Sequence, residues 1–301
     1  MLNAILIVHP KSFNYISTIV NEISTVLNLQ YGRRFNQIIS EDFSTIPEGY
    51  KGDIYIMSDL FPRFEKSDLC KYIFFNFSLL IKLGGSFDTS NKANRWIKSK
   101  KKLFLEKVDQ YDYVLDYYPS QTKKLKAITS SYSEAIFYNF PILIPPVPSQ
   151  LMSKNKKYDF CVVGEDSKRR IKLYKKLQNR GFKLSPLESK NLGEIIRESK
   201  VVLNIHAEKC NTLEFPRIVE ALANGAVVLT EKCFELDQYF PKNVIFSSSY
   251  RGFINNACEL IGSEELNIHS QSIIRFYSEY YKKSKEKIEQ IIELVRLERK
   301  K

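Results

Sequence analysis

Short apolar runs alternate with helical patterns along most of this chain. Runs at Asn3–Val8, Asp53–Met57, Tyr72–Phe75 and Tyr113–Leu115 have the residue types of buried strands. Helical patterns follow from Phe13 to Leu29 and from Trp96 to Val108. Strands that alternate with helices are typical of βαβ units. We therefore expect an α/β protein with mostly parallel sheets.

A proline-rich segment interrupts this alternation between Phe140 and Pro148. Four prolines in nine residues cannot continue a helix or a central strand, so we expect an extended linker. A length of 301 residues suits two domains of roughly 150 residues each. We place one domain at 1–145, a second at 146–275 and a C-terminal helix at 276–301.

The second half repeats the pattern more clearly. We predict strands at Tyr158–Gly164, Val201–Ile205, Ala226–Leu229 and Asn243–Phe246, and helices at Ser167–Asn179, Asn191–Ser199, Gly252–Leu260 and Ile268–Leu297, with a further short helix around Arg217.

The net charge of +12 is the main feature of the composition. The positive charge concentrates at Lys92–Lys107, at Lys154–Lys183 and after Arg275. Such a field attracts duplex DNA, anionic lipid headgroups or phosphorylated substrates. A bias of the coding sequence towards lysine is the alternative explanation.

The start of the chain lacks the basic and long apolar regions of a signal peptide. No apolar stretch reaches the roughly 20 residues of a membrane-spanning helix. The five cysteines are odd in number and lack C-x-x-C spacing, which favours a reducing cytosol and argues against a structural zinc site. We expect a cytoplasmic protein, or one held peripherally at the inner membrane face.

The segment from Asn211 to Glu231 reads as a loop, a short helix and a buried strand. Arg217 and Glu220 lie three positions apart on the helix, so both side chains leave from one face. An Arg can fork onto a diphosphate, and a Glu can accept hydrogen bonds from ribose hydroxyls. A nucleotide site is one interpretation, and an ordinary surface ion pair is the other.

A second candidate anion site follows the strand that ends at Gly164. A polar turn leads there into a helix whose first turn carries Lys168, Arg169 and Arg170. Cations at a helix N-terminus oppose the helix dipole, and a bound anion removes that conflict. The pattern favours phosphate binding over a solvated basic helix, although it matches neither the Rossmann fingerprint nor the P-loop motif.

His206 follows the predicted strand Val201–Ile205, at the edge where an open α/β sheet presents its ligands. Contact with a phosphate or sugar of a donor is one role for its imidazole. Capping of the strand end without a ligand is the other.

These motifs follow one another as Y-D-F-C-V-V-G with a basic turn, V-V-L-N-I-H, and P-R-I-V-E-A-L-A-N-G-A-V-V-L-T-E. The order resembles the C-terminal donor domain of GT-B glycosyltransferases and covers Lys157 to Leu260. The resemblance implies two Rossmann-like domains facing a cleft, with a long C-terminal helix that packs back towards the N-terminal domain. It also implies that the diphosphate and ribose of a nucleotide sugar, which we expect to be UDP-linked, contact Arg217, Glu220, Gly164, Lys168, Arg169 and Arg170.

The T-L-x-x-P-R-x-x-E run also resembles phage DNA glucosyltransferases, whose corresponding Arg and Glu hold the uridine nucleotide. The chain departs from the commonest E-x7-E form of the GT-B pattern, because Glu214 and Glu220 are six positions apart. A retaining mechanism is therefore not implied.

The first half is expected to bind the acceptor. An inverting transferase needs a group that deprotonates the acceptor hydroxyl. Asp59 directly follows an apolar run, and Asp88 lies in a glycine-bearing loop. These two are the candidate general bases, and a structural role is the alternative for each, as it is for His9 at the end of the first strand.

We therefore expect a glycosyltransferase that moves a sugar from a nucleotide sugar to a hydroxyl acceptor without a metal or another cofactor. The acceptor is either a cell-surface glycan or lipid-linked sugar at an anionic membrane, or a hydroxymethylated base of duplex DNA. In the DNA case the Lys92–Lys107 patch, with Arg95 and Trp96, would contact phosphates and the flipped base. A non-catalytic nucleotide or nucleic-acid binding protein and a nucleotide-sugar epimerase are the alternatives.

Overall fold

The computed structural model describes residues 3–42, 44–58, 64–81, 90–148, 156–164, 166–186, 192–264 and 266–298, without the side chains of Asn14, Tyr15 and Asn267. By its internal contacts the chain divides into two compact units. Unit 1 comprises 1–82, 94–143 and 283–301, and unit 2 comprises 83–93 and 144–282.

Unit 1 is built on a parallel sheet of six strands. In sheet order these are β2 (Phe35–Ile39), β1 (Asn3–Val8), β3 (Gly52–Met57), β4 (Cys70–Asn76), β5 (Tyr113–Asp116) and β6 (Ile136–Asn139). The two central strands β3 and β4 are buried along their whole length, as the continuous apolar runs predict. The helices of this unit are α1 (Pro10–Tyr31), the part of α2 (Asn91–Leu105) from Asn94 onward and α3 (Pro119–Thr129).

A buried ion pair fixes the end of the C-terminal helix, α9 (Leu266–Leu297), within unit 1. Lys71 Nζ lies 3.4 Å from Asp53 Oδ1 and donates to the carbonyl oxygens of Val295 and Glu298. Tyr31 donates from its hydroxyl to the other carboxylate oxygen of Asp53 at 2.5 Å. The lysine therefore satisfies carbonyls that the end of a helix leaves without partners in the helix itself.

Unit 2 contains a parallel sheet of four strands. In sheet order these are β10 (Ile245–Ser248), β9 (Val227–Glu231), β8 (Ser199–Asn204) and β7 (Tyr158–Val162). A single parallel bridge from Phe160 to Leu184 extends the sheet beyond β7. The helices of this unit are α4 (Lys168–Gln178), α5 (Leu192–Arg197), α6 (Phe215–Ala223), α7 (Leu236–Tyr239), α8 (Phe253–Gly262) and the first part of α9.

The predicted α/β class, with two parallel-sheet units and a long C-terminal helix, is confirmed. Each predicted strand overlaps an observed one, but β2, α3, β6 and the four-residue α7 were missed. β2 is a sheet-edge strand that keeps an exposed, partly polar sequence. α3 buries Gln121 and Thr122 beside Leu125, so its inner face lacks the apolar pattern of an ordinary amphipathic helix.

Among the described residues no helix is long and apolar enough to cross a membrane.

Asp116 ends β5 as a fully buried carboxyl group. Its Oδ1 accepts hydrogen bonds from the Tyr118 amide at 3.1 Å and from Gln121 Nε2 at 3.2 Å. Burial raises the pKa of Asp116 to about 7, although these hydrogen bonds act to lower it. The folded protein therefore holds this proton more tightly than the unfolded chain does.

The folded state binds this proton more tightly than the unfolded state does. The free energy of unfolding therefore falls as the pH rises and the proton is lost. We expect the melting temperature to decrease as the pH rises from about 4 to about 7, and to lose this part of its pH dependence in Asp116→Asn. Circular dichroism melts of both proteins across this range measure the difference. Equal pH slopes in the two proteins would contradict a buried ionisable carboxyl at this position.

Candidate functional site

The strand order of the sheet of unit 2 changes direction at β7. After β7 it passes through α4 to the bridge at Leu184 on one side, and then through α5 to β8 on the other side. In open α/β sheets, ligands bind outside the carboxyl ends of the strands at such a switch point. The residues just beyond these two ends are Gly164 and His206.

Gly164 and Arg170 form a packed unit at the end of β7. Gly164 has a φ of +94°, and a Cβ added there would lie 2.7 Å from Arg170 Nη1. Arg170 is 1% exposed and donates from Nε to the carbonyl oxygen of Ile205 at 2.7 Å. Ser167 begins the helix by accepting a hydrogen bond from the Arg170 amide. The guanidinium therefore lies directly behind the turn, between the ends of β7 and β8.

Arg169 is held by a carboxylate that the sequence analysis did not single out. Its two terminal nitrogens donate to the two oxygens of Glu231, at 2.9 and 2.7 Å. Its guanidinium also lies 4.1 Å from the centre of the Tyr250 ring, and Nη1 donates to the carbonyl oxygen of His206. The charge of Arg169 is thus largely compensated by Glu231, whereas the side chain of Lys168 is exposed.

His206 is completely buried beneath the edge of the sheet. Its amide donates to Glu231 Oε2 at 2.8 Å, and its Nε2 lies 3.5 Å from Cys233 Sγ. Burial acts to lower the pKa of the imidazole, but hydrogen bonds with Cys210 and Cys233 and the charge of Glu214 outweigh it and raise the pKa well above its usual value. These contacts favour the protonated ring, which lies behind the strand ends and is not presented to solvent.

Arg217 lies in the first turn of α6 and is partly exposed. It donates from Nη2 to Glu214 Oε1 at 2.6 Å and from Nη1 to Asn204 Oδ1 at 3.2 Å. Glu214 precedes the helix, and its side chain binds Arg217 rather than capping the helix. The i,i+3 ion pair of this segment therefore joins Glu214 to Arg217. Among the described residues no ion pair joins Arg217 to Glu220.

Glu220 lies one turn further along α6. Its Oε1 is 3.4 Å from Asn224 Nδ2, and Asn224 in turn accepts a hydrogen bond from Arg197 at 2.8 Å. Burial raises the pKa of Glu220, although the Asn224 hydrogen bond and the charge of Arg197 act to lower it. Glu220 is thus poised to exchange hydrogen bonds with neutral groups such as hydroxyls.

Asp59, Asp88 and His9 are the predicted site residues of the first half of the chain. Asp59 and Asp88 lie outside the described residues. His9 caps α1 by accepting a hydrogen bond from the Lys11 amide at 3.2 Å, which gives it a structural role. Among the described residues, no three His, Cys, Asp or Glu side chains are grouped to hold a metal ion.

The contact between Gly164 and Arg170 predicts an unequal response to two alanine substitutions. Gly164→Ala adds backbone strain of about 1–3 kcal/mol and also displaces the guanidinium. Gly181→Ala is a matched control, because its φ is +86° but nothing lies within 4 Å of the added Cβ. We expect Gly164→Ala to lower the free energy of unfolding more than Gly181→Ala does, as measured by urea denaturation. Equal losses would show that Arg170 does not depend on this glycine.

A family model described as "Glycosyl transferase-like" matches residues 148–293. No curated protein sequence matches the chain.

Solved structures match a larger part of the chain. The pneumococcal O-GlcNAc transferase GtfA, in complex with UDP and GlcNAc, is 12% identical over 82% of the chain, with a TM-score of 0.55. The chain spans only 57% of that protein. T4 phage BGT, in complex with its UDP-glucose substrate, is 13% identical over 98% of this chain and 100% of its own, with a TM-score of 0.55. Anabaena Alr3699/HepE, in complex with UDP-glucose, is 10% identical over 96% and 99%, with a TM-score of 0.56.

The two parallel-sheet units, the matched domain and these structures agree with one another. The chain therefore has the GT-B fold, and its residues 148–293 match the glycosyl transferase-like family model.

Proposed function

We propose that the protein transfers a sugar from a UDP-linked donor to a hydroxyl group of an acceptor. The donor binds at the carboxyl edge of the sheet of unit 2, and residues 1–145 bind the acceptor. The observation that carries this proposal is the group of positive charges that unit 2 assembles at its switch point. That group consists of Lys168, Arg170 and Arg217, with the buried ring of His206 behind them.

A diphosphate is the ligand that suits this charge. The first turns of α4 and α6 both carry cations and no acidic residue, which opposes the helix dipoles until an anion binds. Arg217 can exchange its bond to Glu214 for a two-pronged contact with phosphate oxygens. Three structures of the same fold hold UDP or UDP-glucose, which supports UDP as the nucleotide.

Glu220 is proposed to bind the ribose hydroxyls. It lies one turn beyond Arg217 on the same helix, and its hydrogen bond with Asn224 orients the carboxyl group. The diphosphate leaving group gains negative charge as the bond to the sugar breaks, and the nearby cations and helix amides stabilise that charge. We therefore expect transfer to continue in the presence of a chelator. Asp59 and Asp88 remain the proposed bases of an inverting route.

The exposed surface of α2 supports our proposal for the class of acceptor. Arg95, Trp96, Lys98 and Lys102 are exposed on this helix, which carries no acidic residue. Such a surface suits an anionic partner. A hydroxymethylated base of duplex DNA and a glycan acceptor at an anionic membrane are the two acceptor classes that fit. The five cysteines are all free, which supports a cytoplasmic location for either reaction.

Removal of the Arg217 guanidinium tests the donor site. We expect Arg217→Ala to lower kcat/KM for UDP-glucose about 100- to 1,000-fold, because one preorganised donor to the leaving group is lost. Arg217→Lys keeps the charge without the fork and should retain part of the activity. Release of UDP in a coupled assay measures the rates.

The control for this test is Arg275→Ala, which removes an exposed arginine of α9 with the same change of charge. Wild-type rates in Arg217→Ala would exclude the assigned site. Binding of UDP-glucose without turnover under any acceptor condition would instead favour a non-catalytic nucleotide-binding protein. Conversion of the sugar nucleotide without an acceptor would favour an epimerase.

Glu220→Gln separates ribose recognition from diphosphate recognition. We expect it to weaken UDP binding in calorimetric titration and to leave pyrophosphate binding unchanged, because only UDP carries the ribose hydroxyls. An equal loss of affinity for both ligands would place Glu220 at the phosphates, or show that it acts only through the fold of α6.

A further inference from the structure

A second basic region of unit 2 lies outside the proposed donor site. α4 and α8 pack side by side and leave a groove of 660 Å³ between them. Lys172, Lys176 and Arg180 line it from α4 and the turn that follows, and Arg251 lines it from the turn before α8. The other polar residues of its wall are Asn179, Tyr250 and Asn255, so the lining contains no carboxylate.

The four positive charges of this groove are not neutralised by the protein. Among the described residues, none of the four forms an ion pair. Arg180 does make contacts, but both are to neutral groups, namely Asn255 Oδ1 at 3.4 Å and Cys258 Sγ at 3.2 Å. Concave surfaces of one sign of charge concentrate the field and attract counter-ions more strongly than a flat surface does.

The spacing of the cations indicates the shape of the ligand. Lys172 and Lys176 lie four residues apart on α4, about 6 Å along one face of the helix, and Arg180 continues the row from the turn after it. A row of three such charges is too long for a single phosphate group and suits a chain of regularly spaced phosphates. The usual attraction of cations to a helix C-terminus explains Arg180 and Lys176. It does not explain Lys172 in the middle of α4, or Arg251 on the opposite wall.

We propose that this groove binds the phosphodiester backbone of a nucleic acid. The concave shape favours an inserted chain over a flat lipid surface, and amide and phenol groups between the cations can bind phosphate oxygens. Tyr250 lines the groove and also contacts Arg169, so one residue joins the groove to the donor site. This proposal rests on the proposed function only where it takes the nucleic acid to be the acceptor. Binding in the groove itself needs no sugar donor.

The test is the binding of a fluorescein-labelled 20-base-pair DNA duplex, measured by anisotropy over a range of salt concentrations. We expect Lys172→Gln/Lys176→Gln to weaken binding at least about tenfold at 0.1 M salt, and to reduce the slope of log K against log salt by about 2. Lys123→Gln/Lys126→Gln on α3 is the control, because it removes the same charge from two exposed lysines of unit 1. It should change the affinity less than twofold.

Equal losses in the two variants would overturn the proposal, because the effect would then come from net charge alone. A wild-type affinity of Lys172→Gln/Lys176→Gln for the duplex would also overturn the proposal. Sedimentation of the wild-type protein with phosphatidylserine vesicles, together with no binding to the duplex, would also overturn it and point to a lipid surface. A thermal-shift titration of the wild type with UDP-glucose is run in parallel. If that titration shows no donor binding while the groove result holds, the proposed function fails and the groove assignment stands.

Discussion

The proposed donor site of unit 2 depends on one buried carboxylate, that of Glu231. It lies at the end of β9, where it pairs with Arg169 through both oxygens and accepts a hydrogen bond from the His206 amide. These contacts connect β9 to β8 and to the start of α4. A buried carboxylate is tolerated only when it is fully paired, and the two-pronged arginine provides that pairing. Because Glu231 neutralises Arg169, the proposed donor site draws on the other cations of this edge.

The backbone around this carboxylate decides where those cations lie. The positive φ of Gly164 and the absence of a side chain allow Arg170 to pack behind the turn. The Arg170 guanidinium is then anchored on the carbonyl of Ile205, and the buried imidazole of His206 lies beyond the next strand end. Arg217 faces the same edge from α6 through its bond to Asn204. The charge of the site therefore comes from residues distant in sequence that strand ends and helix starts bring together.

The fold could be predicted because its strands are continuous apolar runs, and local periodicity is enough to recognise those. The elements that were missed are the edge strands β2 and β6, the helix α3 with its buried polar side chains, and α7, which at four residues is too short to show a helical pattern. The candidate site could be predicted only in outline. Gly164, Arg170, His206 and Arg217 follow from their positions at strand ends and helix starts.

The partners of these residues could not be predicted. Glu231 pairs with a residue 62 positions away and Asn204 with one 13 positions away, and no local pattern encodes such contacts. The spacing of Arg217 and Glu220 suggested one shared site, but Glu214 has the same spacing on the other side of Arg217 and forms the ion pair. Helical geometry names the possible partners, whereas packing against the neighbouring strands selects among them.

A crystal structure of the protein with UDP-glucose tests the central claim most directly. The account predicts a diphosphate at the carboxyl edge of the sheet of unit 2, within hydrogen-bonding distance of Arg217 and of the turn between Gly164 and Arg170. In that complex Arg217 should have exchanged Glu214 for phosphate oxygens, while the pair between Arg169 and Glu231 should be unchanged. A nucleotide bound elsewhere, or an Arg217 still paired with Glu214 beside the bound diphosphate, would contradict the account.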